Sequence, residues 1–275
     1  MLWGRFFMPD VWQEMNQDKS TNGPARGAYL LPNALTTGAL MAGFFAIVSA
    51  IGDQPVAACI AILIAGVLDG LDGRVARMTN TQTEFGVEYD SLSDMVSFGM
   101  APAVLVYTWA LSDLGDADTM AANIGWLGAF FYSACAALRL ARFNTQAGVA
   151  DKRYFQGLAS PAAAGTIVAA VWFSVSREVQ PETVAWAVLV LTLLLGTLMV
   201  SRVRYFSFKT WPAKDRVPIA WIFVLLVLLV LLAIDLPAVL LTIGLLYVFS
   251  GPVVTARGRY LQRRRRRRED GDAGH

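Results

Sequence analysis

The chain has 275 residues, is 56% hydrophobic, carries only 16% charged residues and has a formal net charge of +2. Soluble domains carry about 25% charged residues, so this composition excludes an ordinary water-soluble enzyme, and a charge so close to balance argues against nucleic-acid binding. The single histidine is His275, the last residue. That leaves carboxylates, a metal and arginines as the reactive inventory.

In chain order, residues 1–30 form a mixed polar and apolar segment. It either lies along a membrane surface or has no role in chemistry. It does not resemble a signal peptide, because the first apolar run begins only after it. Eight apolar spans follow, at about 34–51, 55–78, 88–112, 123–146, 159–176, 182–201, 217–234 and 237–254. Each is long enough to approach or cross a hydrocarbon core of about 30 Å. The expected fold class is therefore an all-α, polytopic membrane helical bundle.

Of the 23 Lys and Arg, all but Arg177 fall at the termini, around 74–77, at 139–153 and at 202–216. With eight spans these positions lie on one side, and the positive-inside rule makes that side the cytoplasm. The expected location is the inner (cytoplasmic) membrane with both termini inside. The tail at 255–275, with its run of six arginines, reads as a disordered topology anchor touching anionic headgroups. Cys59 and Cys135 both lie in spans and read as small buried apolar residues rather than a disulfide.

Four aspartates interrupt the second and third spans: Asp69, Asp72, Asp90 and Asp94. Carboxylates at bilayer depth are costly and usually functional. Asp69 and Asp72 are three apart, Asp90 and Asp94 four apart, so each pair shares a helix face. Gly66, Gly70, Gly73 and Ala76 interleave with the first pair, and small residues let a ligand or a backbone approach. The second span runs inward and the third returns, which brings all four acids to similar depth over a cytoplasm-facing cavity. Oxygen donors of this kind suit hard divalent cations, one ion or two about 4 Å apart. Salt bridges to Arg74 or Arg77 are the structural alternative. Four acids with glycines on the same faces fit it poorly.

The pattern D-x2-D-G-x2-A-R-x8-G-x3-D-x3-D is filled by Asp69, Asp72, Gly73, Ala76, Arg77, Gly86, Asp90 and Asp94. In this the chain resembles the CDP-alcohol phosphotransferases. The resemblance implies a six-helix catalytic core, here 31–201, that binds a CDP-linked substrate and forms a homodimer. Residues 202–254 would then be a loop and two additional helices. It also implies two divalent metals, Mg2+ or Mn2+, held by Asp69, Asp72, Asp90 and Asp94, with Asp94 as the general base. Gly70, Gly73, Ala76, Arg77 and Gly86 would seat the cytidine diphosphate of CDP-diacylglycerol.

Three further segments bear on the acceptor alcohol. In L-P-N-A-L-T-T-G, Asn33 and Thr36 either contact the nucleotide or simply open a helix. In A-L-R-L-A-R-F-N, Arg139 and Arg142 share a face, followed by Asn144. Arginine forks suit carboxylates and phosphates, while membrane anchoring is the plainer reading. In F-Q-G-L-A-S-P-A-A-A, Ser160 before Pro161 reads as a helix N-cap. Together the last two segments resemble the phosphatidylserine synthase branch, with Ala159 where that branch often has Pro. The resemblance implies L-serine as acceptor, bound by Arg139, Arg142, Asn144 and Ser160. Glycerol-3-phosphate, inositol phosphate and choline stay open as other acceptors. An ion transporter using the aspartates is the reading from a different class.

Overall fold

The computed structural model describes residues 30–79, 81, 83–112, 114, 120–146, 154–206 and 219–272. Residues 1–29 and 207–218 lie outside them. Among the described residues there are eight helices and one short ribbon. The helices are α1 (Leu30–Ile51), α2 (Pro55–Met78), α3 (Glu84–Leu111), α4 (Met120–Gln146), α5 (Ser160–Ser176), α6 (Pro181–Val200), α7 (Ile219–Ile234) and α8 (Leu236–Asp272). Six of them are long and apolar enough to cross a membrane. α5 and α7 are apolar but shorter. The chain is thus an integral, multi-pass helical membrane protein, and every expected span corresponds to a helix.

Successive helices alternate in direction, so the helix ends near 78–84, 146–160 and 200–206 gather at one end of the bundle. This is the basic end. At the opposite end two tight turns use the left-handed region, at Asp53 (φ 55°) and Glu178 (φ 52°). Pro55 and Pro181 start α2 and α6, where a missing N–H leaves no intrahelical bond unmade. Arg177, the lone basic residue of that end, pairs with Asp235 between α7 and α8. Asp235 also caps α8, its Oδ1 accepting from Ala238 N at 3.1 Å.

Two features depart from a plain bundle of helices. The first is an antiparallel ribbon at the basic end, β1 (Tyr154–Gln156) with β2 (Arg204–Phe206). Gly157 closes it with φ 85°, and a Cβ there would fall 2.3 Å from the Met199 carbonyl oxygen. The position therefore excludes side chains on two grounds. The second is the tail. The expected disorder is corrected: α8 continues as helix through the arginine run to Asp272. Arg, Gln and Leu are good helix formers, and residues 259–270 contain neither Gly nor Pro to stop the helix.

Prolines inside α3 and α8 explain much of the packing. Pro102 cannot donate to the carbonyl of Phe98, four residues back, and α3 widens into π-helical turns at Met95–Met100 and Tyr107–Leu111. Tyr132 of α4, fully buried, donates its hydroxyl to that freed Phe98 oxygen at 3.0 Å. Pro252 does the same to Val248 in α8, and the buried Tyr205 of β2 donates to the Val248 oxygen at 3.1 Å. A buried carbonyl left unpaired would be costly. Each tyrosine therefore fixes one helix against its neighbour.

The core runs between these helices, with Ala163, Ala164, Ile167 and Val168 of α5 buried near its centre. α7 is its opposite: Ile222, Phe223, Leu225 and Leu226 are exposed. That is the pattern of a helix facing lipid, where apolar exposure carries no penalty.

Candidate active site

The site is built at the basic end, starting with how α1, α2 and α3 are locked together. Thr83 caps α3, its side chain accepting from Gly86 N at 3.0 Å. The cap sets the phase of α3, and with it the shared face of Asp90 and Asp94. Small residues hold that face close to α1. Ser93 Oγ donates to the Thr36 carbonyl at 3.2 Å, and Ser97 Oγ to the Ala39 carbonyl at 3.1 Å. Gly43 makes the approach possible, since a Cβ there would lie 2.9 Å from Ser97 Cα. Thr36 Oγ1 in turn donates to Asp72 Oδ2 at 2.6 Å.

Within this frame Asp69, Asp72 and Asp90 each offer a carboxylate oxygen, and these atoms lie within 4.8 Å of one another. Asp94 stands outside that three-way grouping. It lies within hydrogen-bonding reach of Asp69 and within electrostatic range of Arg139. The donor set consists wholly of carboxylate oxygens, which suits a hard divalent ion. One atom argues for such an ion directly: Asp90 Oδ1 is buried without a hydrogen-bond partner. A buried carboxylate oxygen is expected to be satisfied, and a cation among the three acids would satisfy it. The residues fit the metal that the spacing suggests.

The other expected nucleotide contacts divide. Gly70 faces open space, with nothing within 4 Å of a Cβ built there. Gly73 and Arg77 are one feature: the Arg77 guanidinium folds back to 3.6 Å from the Gly73 Cβ position. Gly86 lies against Asn33, 3.6 Å from its Oδ1 to a built Cβ. Ala76 closes the end of α2, its carbonyl accepting from Thr81 N at 3.1 Å. Thr36 is buried and its hydroxyl is committed to Asp72. Its place in the structure is therefore behind the carboxylates, orienting one of them.

The expected acceptor residues also separate. Arg139 faces Asp94 and donates to the Ser160 hydroxyl. Ser160 is not the N-cap. Ala159 holds that position, Ser160 is the first helical residue, and its fully buried side chain turns inward to Arg139. The correction follows from the buried guanidinium, which offers a stronger partner than a backbone N–H. Arg142 points elsewhere, to the Gln156 side chain and the Val200 carbonyl, strapping α4 to the ribbon and α6. Asn144 hydrogen-bonds Ser91 at 3.0 Å, clamping α4 onto α3 between Asp90 and Asp94.

Several residues that shape the site have no motif in the sequence: Thr83, Ser91, Ser93, Tyr132, Tyr205 and Tyr247. A signal existed for two of them. A proline inside a span frees the carbonyl four residues back, and a buried tyrosine on another element is a natural donor to it. Tyr205 remains that donor at ordinary pH, because burial, with the neighbouring Tyr247, pushes its phenol up to about 12. Cys59 and Cys135 are free and buried, as expected. An apolar pocket of about 230 Å³ between α3 and α4, lined by Met100, Tyr107, Trp126 and Phe130, contains none of the carboxylates.

Residues 29–198 match the family model described as CDP-alcohol phosphatidyltransferase. The chain is 37% identical over 186 residues to a CDP-diacylglycerol–serine O-phosphatidyltransferase of Helicobacter pylori, covering 68% of this chain and 76% of the relative. It is 33% identical over 197 residues to a protein of the same description from Methanocaldococcus jannaschii, covering 72% and 83%. It is 35% identical over 193 residues to the archaetidylserine synthase of Methanothermobacter thermautotrophicus, covering 70% and 73%.

Proposed function

This chain belongs to the CDP-alcohol phosphatidyltransferase family, and from that membership we propose that it transfers the phosphatidyl group of CDP-diacylglycerol to the hydroxyl of L-serine. The products are phosphatidylserine and CMP. The observation that carries the reading is the meeting of Asp69, Asp72 and Asp90 within 4.8 Å, with Asp94 and Arg139 beside them. The relatives named for serine transfer support the choice of acceptor.

Asp69, Asp72 and Asp90, together with Asp94, would hold divalent metal, Mg2+ or Mn2+, as two ions. Such metal would supply charge neutralisation for the diphosphate and the departing CMP. Thr36 keeps Asp72 oriented toward it. Gly70 and Gly73 leave room for the nucleotide, with Arg77, Asn33 and Gly86 at its margin. Asp94 takes the proton of the serine hydroxyl. The hydroxyl oxygen forms a bond to the β-phosphorus, and the bond from that phosphorus to the bridging oxygen breaks, releasing CMP. Arg139, whose charge lies beside Asp94, holds the serine carboxylate. Arg142, Asn144 and Ser160 keep the Arg139 side of the site in place. The basic end faces the cytoplasm of an inner membrane, the lipid tails of the donor remain in the bilayer, and the protein works as a homodimer.

The test is an acceptor panel with purified protein, labelled CDP-diacylglycerol and Mg2+ or Mn2+. Serine should support CMP release, with glycerol-3-phosphate, inositol phosphate and choline far behind. Faster turnover with glycerol-3-phosphate would overturn the acceptor while leaving donor and metal site intact. Ion flux in vesicles without CMP formation would overturn the enzyme itself.

A further inference from the structure

The family match ends at residue 198, before β2 and the α7–α8 hairpin. Yet α8 packs closely on α5 and β2, the elements that follow and support Arg139. The docking is specific. Val248 offers its proline-freed carbonyl to the Tyr205 hydroxyl at 3.1 Å. Gly251 makes room for the Tyr205 ring, since a Cβ there would lie 2.4 Å from ring atoms. Gly244 lies against Thr166 of α5, where a Cβ would come within 3.4 Å of the Thr166 Cα. Residues 244, 247, 248 and 251 follow the spacing of one helix face. Tyr247 is therefore turned toward the same interior. Its ring centroid is 5.5 Å from that of Tyr205, and it lies in electrostatic range of the Arg139 guanidinium.

We propose that Tyr247 is a positioning residue for Arg139, and that the α7–α8 hairpin completes the acceptor pocket of this enzyme. Arg139 carries five N–H donors, of which the Ser160 hydroxyl engages one. A long side chain held at one point keeps much of its rotational freedom, and fixing it for a ligand costs entropy. The electronegative phenol oxygen of Tyr247 favours the guanidinium on its own side of the pocket. Ser160 and Tyr247 together leave the remaining fork directed at the Asp94 side, where a carboxylate-bearing acceptor must place its hydroxyl. Tyr205 acts one step further back, through Val248, by fixing the rotation of α8.

The proposal rests on serine as acceptor, and its test separates the two ideas. Steady-state kinetics of the full-length protein are measured with CDP-diacylglycerol in mixed micelles, with serine and with serinol, which lacks the carboxylate. Tyr247→Phe should raise KM for serine by about three- to tenfold, the range of one polar contact. KM for CDP-diacylglycerol and turnover of serinol should stay unchanged. Tyr205→Phe should shift serine KM in the same direction and also lower the thermal midpoint. Unchanged serine KM in Tyr247→Phe, with a parent enzyme active on serine, overturns the proposal alone. Equal losses on serine, serinol and CDP-diacylglycerol also overturn it, by making Tyr247 merely structural. A parent protein that releases no CMP with serine overturns the acceptor reading and this proposal with it.

Discussion

Asp69, Asp72, Asp90 and Asp94 come from two consecutive helices joined by a short turn. Arg139, which lies beside Asp94, and Ser160, Tyr205 and Tyr247 behind it come from four separate elements: α4, α5, β2 and α8. Within each helix of the first wall, periodicity decides the shared face, because residues three or four apart lie together. The second wall depends on tertiary packing, on the ribbon and on two carbonyls freed by proline. A catalytic wall carried by local spacing is hard to vary without losing it. A wall assembled from distant elements can be altered one contact at a time, which suits the part of a site that selects among acceptors.

If the carboxylate wall holds metal, its removal is the most severe insult. Chelation with EDTA should abolish CMP release, and Mg2+ or Mn2+ should restore it. Full turnover in metal-free buffer would end the reading. Next in size is Asp94→Asn, which should lower turnover by about 10²–10⁴ while Mn2+ and CDP-diacylglycerol still bind. Asp69→Asn should lose both binding and turnover, because Asp69 belongs to the close group of three. Matching Mn2+ affinities in the two variants would place Asp94 among the principal ligands and erase the division of labour within this wall.

The second wall should respond more gently and unequally. Arg139→Lys keeps the charge but loses the planar fork. Serine affinity should fall about ten- to a hundredfold, as expected for a charged hydrogen bond, with CDP-diacylglycerol affinity nearly constant. Arg142→Lys should change serine KM far less, because Arg142 is turned to Gln156 and Val200. A larger serine defect in Arg142→Lys than in Arg139→Lys would reverse the assignment of the two arginines.

The same contrast governs how much of the molecule is legible in its sequence. Eight apolar runs sufficed for the helices, since that signal is local. The aspartate pattern sufficed to bring Asp69, Asp72 and Asp90 together. Thr36 and Ser160 were legible as polar residues near the site, but not in their roles. Thr36 turned out to orient Asp72, and Ser160 to accept from Arg139, because each lies opposite a partner tens of residues away. The ribbon was invisible because three-residue strands carry no usable periodicity. Tyr247 was invisible because it stands in an apolar span with no motif of its own, and its place is set by packing against Tyr205, whose ring also fills the room left at Gly251.

The smallest effect should come from the charged end of α8. Gly251 packs against Tyr205 of the second wall, and every residue named in either wall precedes Pro252. Deleting residues 262–275 should therefore leave serine KM and turnover unchanged. The basic residues at 139–153 and 202–216 remain to hold the same orientation in the membrane. CMP release from the shortened protein, with labelling of single cysteines introduced in the loops, checks both points. A shortened protein that inserts in the same orientation but binds serine poorly would show that the arginine helix acts on α8 as a lever, and would extend the second wall to the end of the chain. One that inserts in mixed orientations would instead make the six arginines the dominant topological signal.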